Sequence, residues 1–112
     1  MSIIYIGASM ATILHEVWMS IDEHGQELHA CILAGSLGQK ARELLREENA
    51  KLIYCFQAET HFEAMTKYHK KVHDEIYKNP EAHPTDFEPY AEAWANIQVT
   101  EGLILKDNVD KS

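Results

Sequence analysis

The sequence predicts an α+β fold: a small three-stranded, mostly antiparallel sheet (β-hairpin, helix, strand, helix, short helix) with helices on one face. Three observations in the 112 residues predict it. Two neighbouring segments near the start alternate between apolar and polar residues. A third, shorter apolar run follows the first helical segment. Two later segments repeat apolar residues every three or four positions, which is the spacing of an amphipathic helix.

The two alternating segments predict a β-hairpin. Residues 13–21 alternate with period two, and residues 26–34 alternate again after a polar turn that contains Gly25. We expect the odd positions of the first strand to share the core with the even positions of the second, Leu28, Ala30 and Ile32. Opposed residue numbers then sum to an odd value, so His29 lies opposite either Trp18 or Ser20.

The next two elements are a helix and a strand. Ser36 is the expected N-cap, because Gln39 follows at the spacing of a capping box, and an amphipathic helix runs from there to Asn49. The apolar run 52–56 contains β-branched and aromatic residues. We expect it to form a strand buried on both faces.

The last part of the domain contains two helices and a proline-bearing loop. Thr60 and Glu63 form a second capping box, with an apolar helical stripe behind it. The segment 79–89 contains three prolines and no periodicity, which indicates a loop. Pro89 is expected in the first turn of a short helix whose apolar face carries Tyr90, Trp94 and Ile97.

Length and composition favour a single cytoplasmic domain. We expect one α+β domain over residues 10–99, a loosely attached extension at 1–9 and a tail at 100–112. The net charge of −8 disfavours nucleic acid as a partner, and no apolar run of ~18 residues predicts a membrane span. Cys31 and Cys55 lie in apolar strand segments, so we interpret them as buried free thiols of a reducing compartment.

One stretch carries a resemblance to a known family. The residues His61-Phe62-Glu63-Ala64-Met65, followed by Tyr68, Pro89-Tyr90 and Trp94, resemble a family of small bacterial proteins of uncharacterised function. The resemblance spans residues 15–94. It implies a bacterial, single-domain, cytosolic protein, and it brings no activity, cofactor or catalytic residue with it.

The seven histidines suggest two kinds of chemical site. His15 lies on the core face of the first strand, and with His61 and Glu63 it would form an acid–base cluster if the sheet opens into a pocket. His69 and His73 stand four residues apart on a helix, the spacing of a two-histidine metal site. Two lysines between them oppose a cation, so the expected cofactor is none, with a divalent metal as the alternative.

Local features predict two further sites, an anion-binding turn and an interface. Ser36, Gly38 and Lys40 open a helix directly after a strand, where free backbone N–H groups bind anions. Trp18 and His29 fall on the predicted outer face of the hairpin, and a large apolar group there is typical of an interface.

The function predicted from these features is a self-associating cytosolic module. We expect a homodimer, or a complex with a protein partner, and no catalytic signature identifies an enzyme. The alternative is a small-ligand- or metal-binding enzyme that uses the His/Glu cluster.

Overall fold

A three-stranded antiparallel sheet forms the centre of the computed structural model, which describes residues 12–78 and 83–104. The strand order is β2-β1-β3, and both pairings are antiparallel. The strands and α-helices are β1 (Ile13–Ile21), β2 (Glu27–Leu33), α1 (Gln39–Glu47), β3 (Lys51–Ala58), α2 (His61–His73) and α3 (Glu92–Thr100). Short 3₁₀ helices span Gly35–Gly38 and Pro84–Phe87. The predicted α+β class is confirmed.

The register of the hairpin differs from both predicted alternatives. His29 lies opposite Met19, so opposed residue numbers sum to 48. The reason is an odd-length turn: Gly25 N–H donates to Asp22 O (3.0 Å) and Gly25 has φ +79°. A turn followed by a left-handed glycine makes a three-residue loop, which moves the register by one position relative to two- or four-residue loops. The odd residues of both strands therefore share a face, and Leu28 is half-exposed.

The face that carries the odd-numbered residues of β1, here called the odd face, packs against α2. Val17, Phe56, Ala58 and Ala64 form one buried cluster, and partly buried side chains surround it. Ala64 is the α2 residue of this cluster, and its small side chain is fully buried. The odd face therefore holds the main core between the sheet and α2.

The opposite, even face is tied to α1 through a charged contact. Arg42 Nε lies 3.1 Å from Glu16 Oε1, and the same carboxylate oxygen accepts a hydrogen bond from Trp18 Nε1 at 2.9 Å. Trp18 is only 7% exposed. The expectation of an exposed tryptophan on the outer face is therefore wrong, because the indole is buried on the face joined to α1.

The third strand is an edge strand and is not buried on both faces as predicted. It pairs with β1 on one side only among the described residues. Leu52 and Ile53 are 48% and 49% exposed, and Cys55 is exposed as well. The β1–β3 register shifts between Val17 and Trp18, which marks a β-bulge at Ile53. An apolar run cannot be buried on both sides where the sheet ends.

The first helix begins later than the sequence predicts. Residues Gly35–Gly38 form a 3₁₀ helix, α1 starts at Gln39, and no side chain caps either N-terminus. Ser36 instead donates its backbone N–H to Glu101 Oε1 at 3.1 Å.

The start of α2 follows the prediction more closely. Thr60 Oγ1 accepts a hydrogen bond from Glu63 N–H at 2.9 Å, which is one half of a capping box. The Glu63 carboxylate reaches Glu59 N–H rather than the Thr60 N–H that the pattern predicts.

The C-terminal helix turns a different face to the core than predicted. It begins at Glu92, so Tyr90 precedes it, and Pro89 forms a β-bridge with Thr60. Its buried residues are Ala95 and Gln98, whereas Trp94 and Ile97 are exposed. The Gln98 side chain explains this orientation, because it exchanges hydrogen bonds with the Leu14 backbone N–H (2.7 Å) and C=O (3.0 Å).

The packed structure extends beyond the predicted domain limit at residue 99. Thr100 is the last residue of α3, and Ile104 is buried with Ile13 and Ala95. The predicted extension at 1–9 and residues 105–112 of the predicted tail lie outside the described residues. Within the described ranges, no helix is long and apolar enough to cross a membrane.

Candidate functional site

A cavity of about 430 Å³ opens between the odd face of the sheet, the first turns of α2 and the segment before α3. His15 lies on its β1 side, and His61 and Met65 come from α2. The end of β2, from Cys31 to Leu33, and residues of the segment 85–94, including Tyr90, supply the remaining wall. We call this space the His15 cavity. Its size falls in the ~300–1,000 Å³ range of small-molecule sites.

The polar centre of the His15 cavity is a hydrogen-bonded pair of His15 and Tyr90. His15 Nδ1 lies 2.9 Å from the Ile13 carbonyl oxygen, and His15 Nε2 lies 2.9 Å from the Tyr90 hydroxyl. A carbonyl only accepts, so Nδ1 carries the ring proton and Nε2 accepts from the Tyr90 O–H. The tyrosine oxygen keeps its lone pairs and remains an acceptor.

Packing holds both members of this pair. The His15 ring stacks on Phe56 with centroids 5.0 Å apart and planes 7° from parallel. Tyr90 N–H donates to the Glu59 carbonyl at 2.9 Å, next to the Thr60–Pro89 bridge. The pair is therefore positioned by β1, by β3 and by the backbone contact that joins residue 90 to the start of α2.

Burial keeps the pair neutral. His15 is 3% exposed, and desolvation lowers its pKa to about 4. The hydrogen bond to Ile13 and the Glu63 carboxylate oppose the shift, whereas the neighbouring His61 and Lys67 side chains add to it. Desolvation also raises the pKa of the Tyr90 hydroxyl far above its ordinary value. At neutral pH His15 is thus an imidazole acceptor and Tyr90 a protonated phenol.

The rest of the cavity wall combines apolar surface with acidic groups. Asp86 and Glu88 line it, and the Asp86 carboxylate also accepts a hydrogen bond from His83 N–H at 3.1 Å. Cys31 contributes a thiol whose pKa burial raises to about 11, so it is protonated and a weak nucleophile. The wall therefore offers hydrogen-bond acceptors and negative charge, together with apolar contact.

The predicted acid–base cluster is only partly assembled. His15 and His61 both line the cavity, but Glu63 is not among its lining residues. The Glu63 carboxylate caps α2 through Glu59 N–H and lies 3.7 Å from Lys67 Nζ. The sequence argument missed Tyr90 as the partner of His15. The Pro89-Tyr90 sequence could have indicated this role, but the apolar periodicity of Tyr90, Trp94 and Ile97 predicts that Tyr90 belongs to α3.

The predicted histidine pair for a metal lies on α2. The ring centroids of His69 and His73 are 5.4 Å apart, and His69 stacks on Tyr77 at 5.0 Å. His29 of β2 reaches the same region, with its ring centroid 6.2 Å from that of His73. Across residues 12–78 and 83–104, no group of three or more His, Cys, Asp or Glu side chains is arranged to hold a metal ion.

The predicted anion-binding turn contains a carboxylate of the chain itself. Ser36 N–H donates to Glu101 Oε1, and this contact lowers the pKa of Glu101. Gly38 is required for packing, since a Cβ there would clash with the Leu33 carbonyl oxygen. Lys40 is exposed. The turn therefore does bind a carboxylate through a free N–H group, but the carboxylate is that of Glu101.

The predicted interface residues fall on opposite faces of the sheet. Trp18 is buried on the even face, and His29 lies on the odd face beside α2. The predicted register places Trp18 and His29 on one face, which is the basis of the predicted interface. The observed register separates them, so they do not form a common surface.

Comparisons with known proteins indicate no family or function for this chain. No family model, curated protein or solved structure matches this chain. The resemblance carried by residues 61–65 therefore stays a prediction. The His15 cavity is the feature from which a function is inferred below.

Proposed function

We propose that this protein binds a small organic molecule in the His15 cavity. The observation that carries the proposal is the buried His15–Tyr90 pair in the wall of a 430 Å³ cavity. Burying a histidine costs free energy unless its nitrogens find partners, and here both nitrogens do. A satisfied polar pair within a mostly apolar wall that carries a few further polar groups is the usual composition of a ligand site.

The chemistry of the wall selects the class of ligand. Tyr90 uses its proton on His15, so the oxygen can accept from a ligand but has no proton left to donate. Asp86 and Glu88 add negative charge. Tyr90 and Trp94 lie with ring centroids 5.8 Å apart and provide aromatic surface. These groups favour a ligand with an apolar body and a hydrogen-bond-donating or cationic end, such as an arylalkylamine.

Binding is tested with two probes that differ only in charge. The backbone amide and Trp94 indole resonances are followed by NMR while phenethylammonium or 3-phenylpropionate is added to the full chain. We expect phenethylammonium to shift residues that line the cavity, with millimolar affinity or better, and the carboxylate to bind at least fivefold more weakly. Equal affinity for both probes, or no shift with either, contradicts the proposal.

A matched pair of variants separates the site from the fold. Tyr90→Phe removes the acceptor oxygen, and we expect phenethylammonium to bind about tenfold more weakly, as loss of one hydrogen bond to a charged group implies. Tyr68→Phe removes a hydroxyl from α2 outside the cavity lining and should leave the affinity unchanged. If both variants bind as the unmodified protein does, Tyr90 takes no part in recognition.

Self-association is a second candidate function, now supported by a different surface from the predicted one. Leu28 and Leu52 lie on the two outer strands, both on the even face, and are 49% and 48% exposed. Exposed apolar side chains grouped on one sheet face favour a contact with another protein surface. In such a dimer the even faces of two copies would meet.

Sedimentation equilibrium tests this candidate. We expect a dimer at tens of micromolar, and a monomer for the Leu28→Glu variant. The matched control is Ile76→Glu, since Ile76 is a highly exposed apolar residue outside the sheet. A monomer for the unmodified chain at that concentration removes the proposal.

We also propose a reducing compartment, such as the bacterial cytoplasm. Cys31 and Cys55 are free and lie on opposite faces of the sheet, so the fold does not need a disulfide between them. Two titratable thiols in protein isolated without reductant are expected. A mixed or intermolecular disulfide in such protein would argue for an oxidising environment.

A further inference from the structure

A second concave surface lies on the other side of α2 from the His15 cavity. It has a volume of about 620 Å³ and runs between α2 and the edge strand β3. Tyr54 and Phe56 form its aromatic floor, and its rim is formed by α2 residues. We call this surface the basic groove, after the residues of its rim: Thr66, Lys67, Lys70, Lys71 and Asp74.

The rim is basic for a protein of net charge −8. Three of the ten basic side chains of the chain line this one groove, and Asp74 is the one carboxylate among its lining residues. The Glu63 carboxylate lies next to the rim, with its Oε2 atom 3.7 Å from Lys67 Nζ. Lys71 Nζ lies 4.7 Å from the centroid of the Tyr54 ring, directly over the floor. Lys70 reaches Asp74 at 2.9 Å, and Lys67 reaches the Gln57 carbonyl at 2.6 Å. The ammonium groups are thus held along the line where α2 overhangs β3.

Exposed side chains also lie around the edge of β3 from the groove, because Leu52 and Cys55 pair with Trp18 and Glu16 and so belong to the even face. Leu52 and Ile53 are half-exposed on β3, and Cys55 is exposed beside them. An open edge strand with apolar side chains is a surface to which extended chains bind. The ligand that fits the whole surface is therefore longer than a small molecule, because the apolar stretch lies outside the lysine rim.

We propose that the basic groove binds an acidic, extended segment of another protein. Its carboxylates would pair with Lys67, Lys70 and Lys71 on the odd face. Its alternate, apolar side chains would point to the other side of the edge and contact Leu52 and Cys55 on the even face. The bulge at Ile53 bends and twists β3, so the open edge is irregular there. Affinity therefore comes from charge and apolar contact more than from a continuous added strand. Binding at the groove does not require a ligand in the His15 cavity.

A second copy of this chain does not fit the same surface. Two β3 edges that pair antiparallel about a two-fold axis keep equivalent faces on the same side of the joined sheet. The two α2 helices would then lie side by side, and the lysine rims would approach one another. Like charges brought together oppose that arrangement, whereas an acidic segment neutralises the rim.

Fluorescence anisotropy tests the proposal with defined peptides and the full chain. The probe is a fluorescein-labelled ten-residue peptide in which glutamate alternates with valine. We expect binding in the tens of micromolar at low salt, weakened severalfold by 200 mM NaCl because the contacts are ionic. A peptide with lysine in place of glutamate should not bind. Glycine in place of valine should weaken binding about fivefold, and an unchanged affinity contradicts the apolar part of the proposal.

A pair of charge-matched variants locates the binding. Lys67→Gln, Lys70→Gln and Lys71→Gln combined should weaken the peptide at least tenfold. Lys40→Gln, Arg46→Gln and Lys78→Gln combined make the same change in net charge at exposed positions elsewhere and should leave the affinity within twofold. Equal loss in both triple variants would mean that only net charge matters, which overturns the proposal.

Two further outcomes also count against it. Inorganic tripolyphosphate that binds as tightly as the peptide, with the same dependence on the three lysines, would make the groove a general polyanion site. Self-association of the unmodified chain that the lysine triple variant abolishes would mean that a second copy occupies the groove.

Discussion

The His15 cavity and the basic groove lie on the same sheet face, on either side of the same helix, and differ in nearly every physical property. The cavity has a neutral buried His15–Tyr90 pair and acidic groups in its wall. The groove has an aromatic floor and a rim of three lysines. One element, α2, separates a site suited to hydrogen-bond donors and cations from a site suited to carboxylates.

The difference arises from the helical spacing of α2. Residues that face the sheet recur every four positions: Ala64, Tyr68 and Val72. His61 and Met65 project to one side of that stripe and line the cavity. Lys67, Lys70 and Lys71 project to the other side and line the groove. A single amphipathic helix thus gives the two flanks opposite chemistry.

Phe56 is the residue on which both sites depend, so its removal has the largest expected effect. It stacks on His15 at 5.0 Å and forms part of the groove floor. Phe56→Ala should lower the free energy of unfolding by about 3–5 kcal/mol in urea denaturation. Phe87→Ala is the control, because Phe87 stacks on Phe62 but is largely exposed and should cost much less. Similar losses for the two variants would show that Phe56 is not a shared support.

The pH dependence of stability separates the cavity from the groove. Folding lowers the pKa of His15 to about 4 from 6.5, so as the pH falls the unfolded chain is protonated first. His15 therefore stabilises the fold fully above pH 6.5 and loses this contribution between pH 6.5 and 4. The shift corresponds to about 3 kcal/mol of unfolding free energy.

Urea denaturation at pH 7 and pH 4.5 measures this loss. His15→Gln should show a shallower pH dependence than the unmodified chain, although it is less stable at pH 7. His24→Gln changes an exposed histidine of the hairpin turn and should keep the original slope. If His15→Gln retains that slope as well, burial of His15 is not the cause.

The smallest expected effect is at the groove. Lys71→Met keeps the aliphatic stem but removes the charge over Tyr54. Loss of an exposed cation–π contact should cost about 0.5–1 kcal/mol of unfolding free energy. Lys78→Met is the control at an exposed lysine outside the groove. A loss larger than that of Phe56→Ala would reverse the order of the two regions.

The sequence predicted the secondary structure well where local periodicity decides it. The alternation of residues 13–21 and the Thr60 cap are local signals, and both correspond to observed elements. The predicted hairpin register is wrong, because the register depends on whether Gly25 closes a three-residue loop. The prediction of an exposed Trp18 is wrong for a related reason. The indole contacts Glu16, which in turn pairs with Arg42 of α1, and that pairing joins residues 26 positions apart.

The candidate site was predicted in part. His15 could be placed on the core face from alternation alone, but its partner Tyr90 is 75 residues away and no pattern links the two. The basic groove could not be predicted either. A run of lysines on a helix is ordinarily a solvent-exposed face, and the groove follows only from the observation that β3 is an edge strand beside α2. Pairings between distant segments are set by tertiary packing, which one sequence read locally does not contain.

The central claim is that His15 is a buried neutral imidazole which makes the Tyr90 oxygen an acceptor within the cavity. Long-range ¹H–¹⁵N NMR correlations of the His15 ring at pH 7 test it most directly. We predict the tautomer with the proton on Nδ1, an unprotonated Nε2 that accepts from Tyr90, and no titration until the pH approaches 4. An imidazolium at pH 7, or a proton on Nε2, would contradict the account.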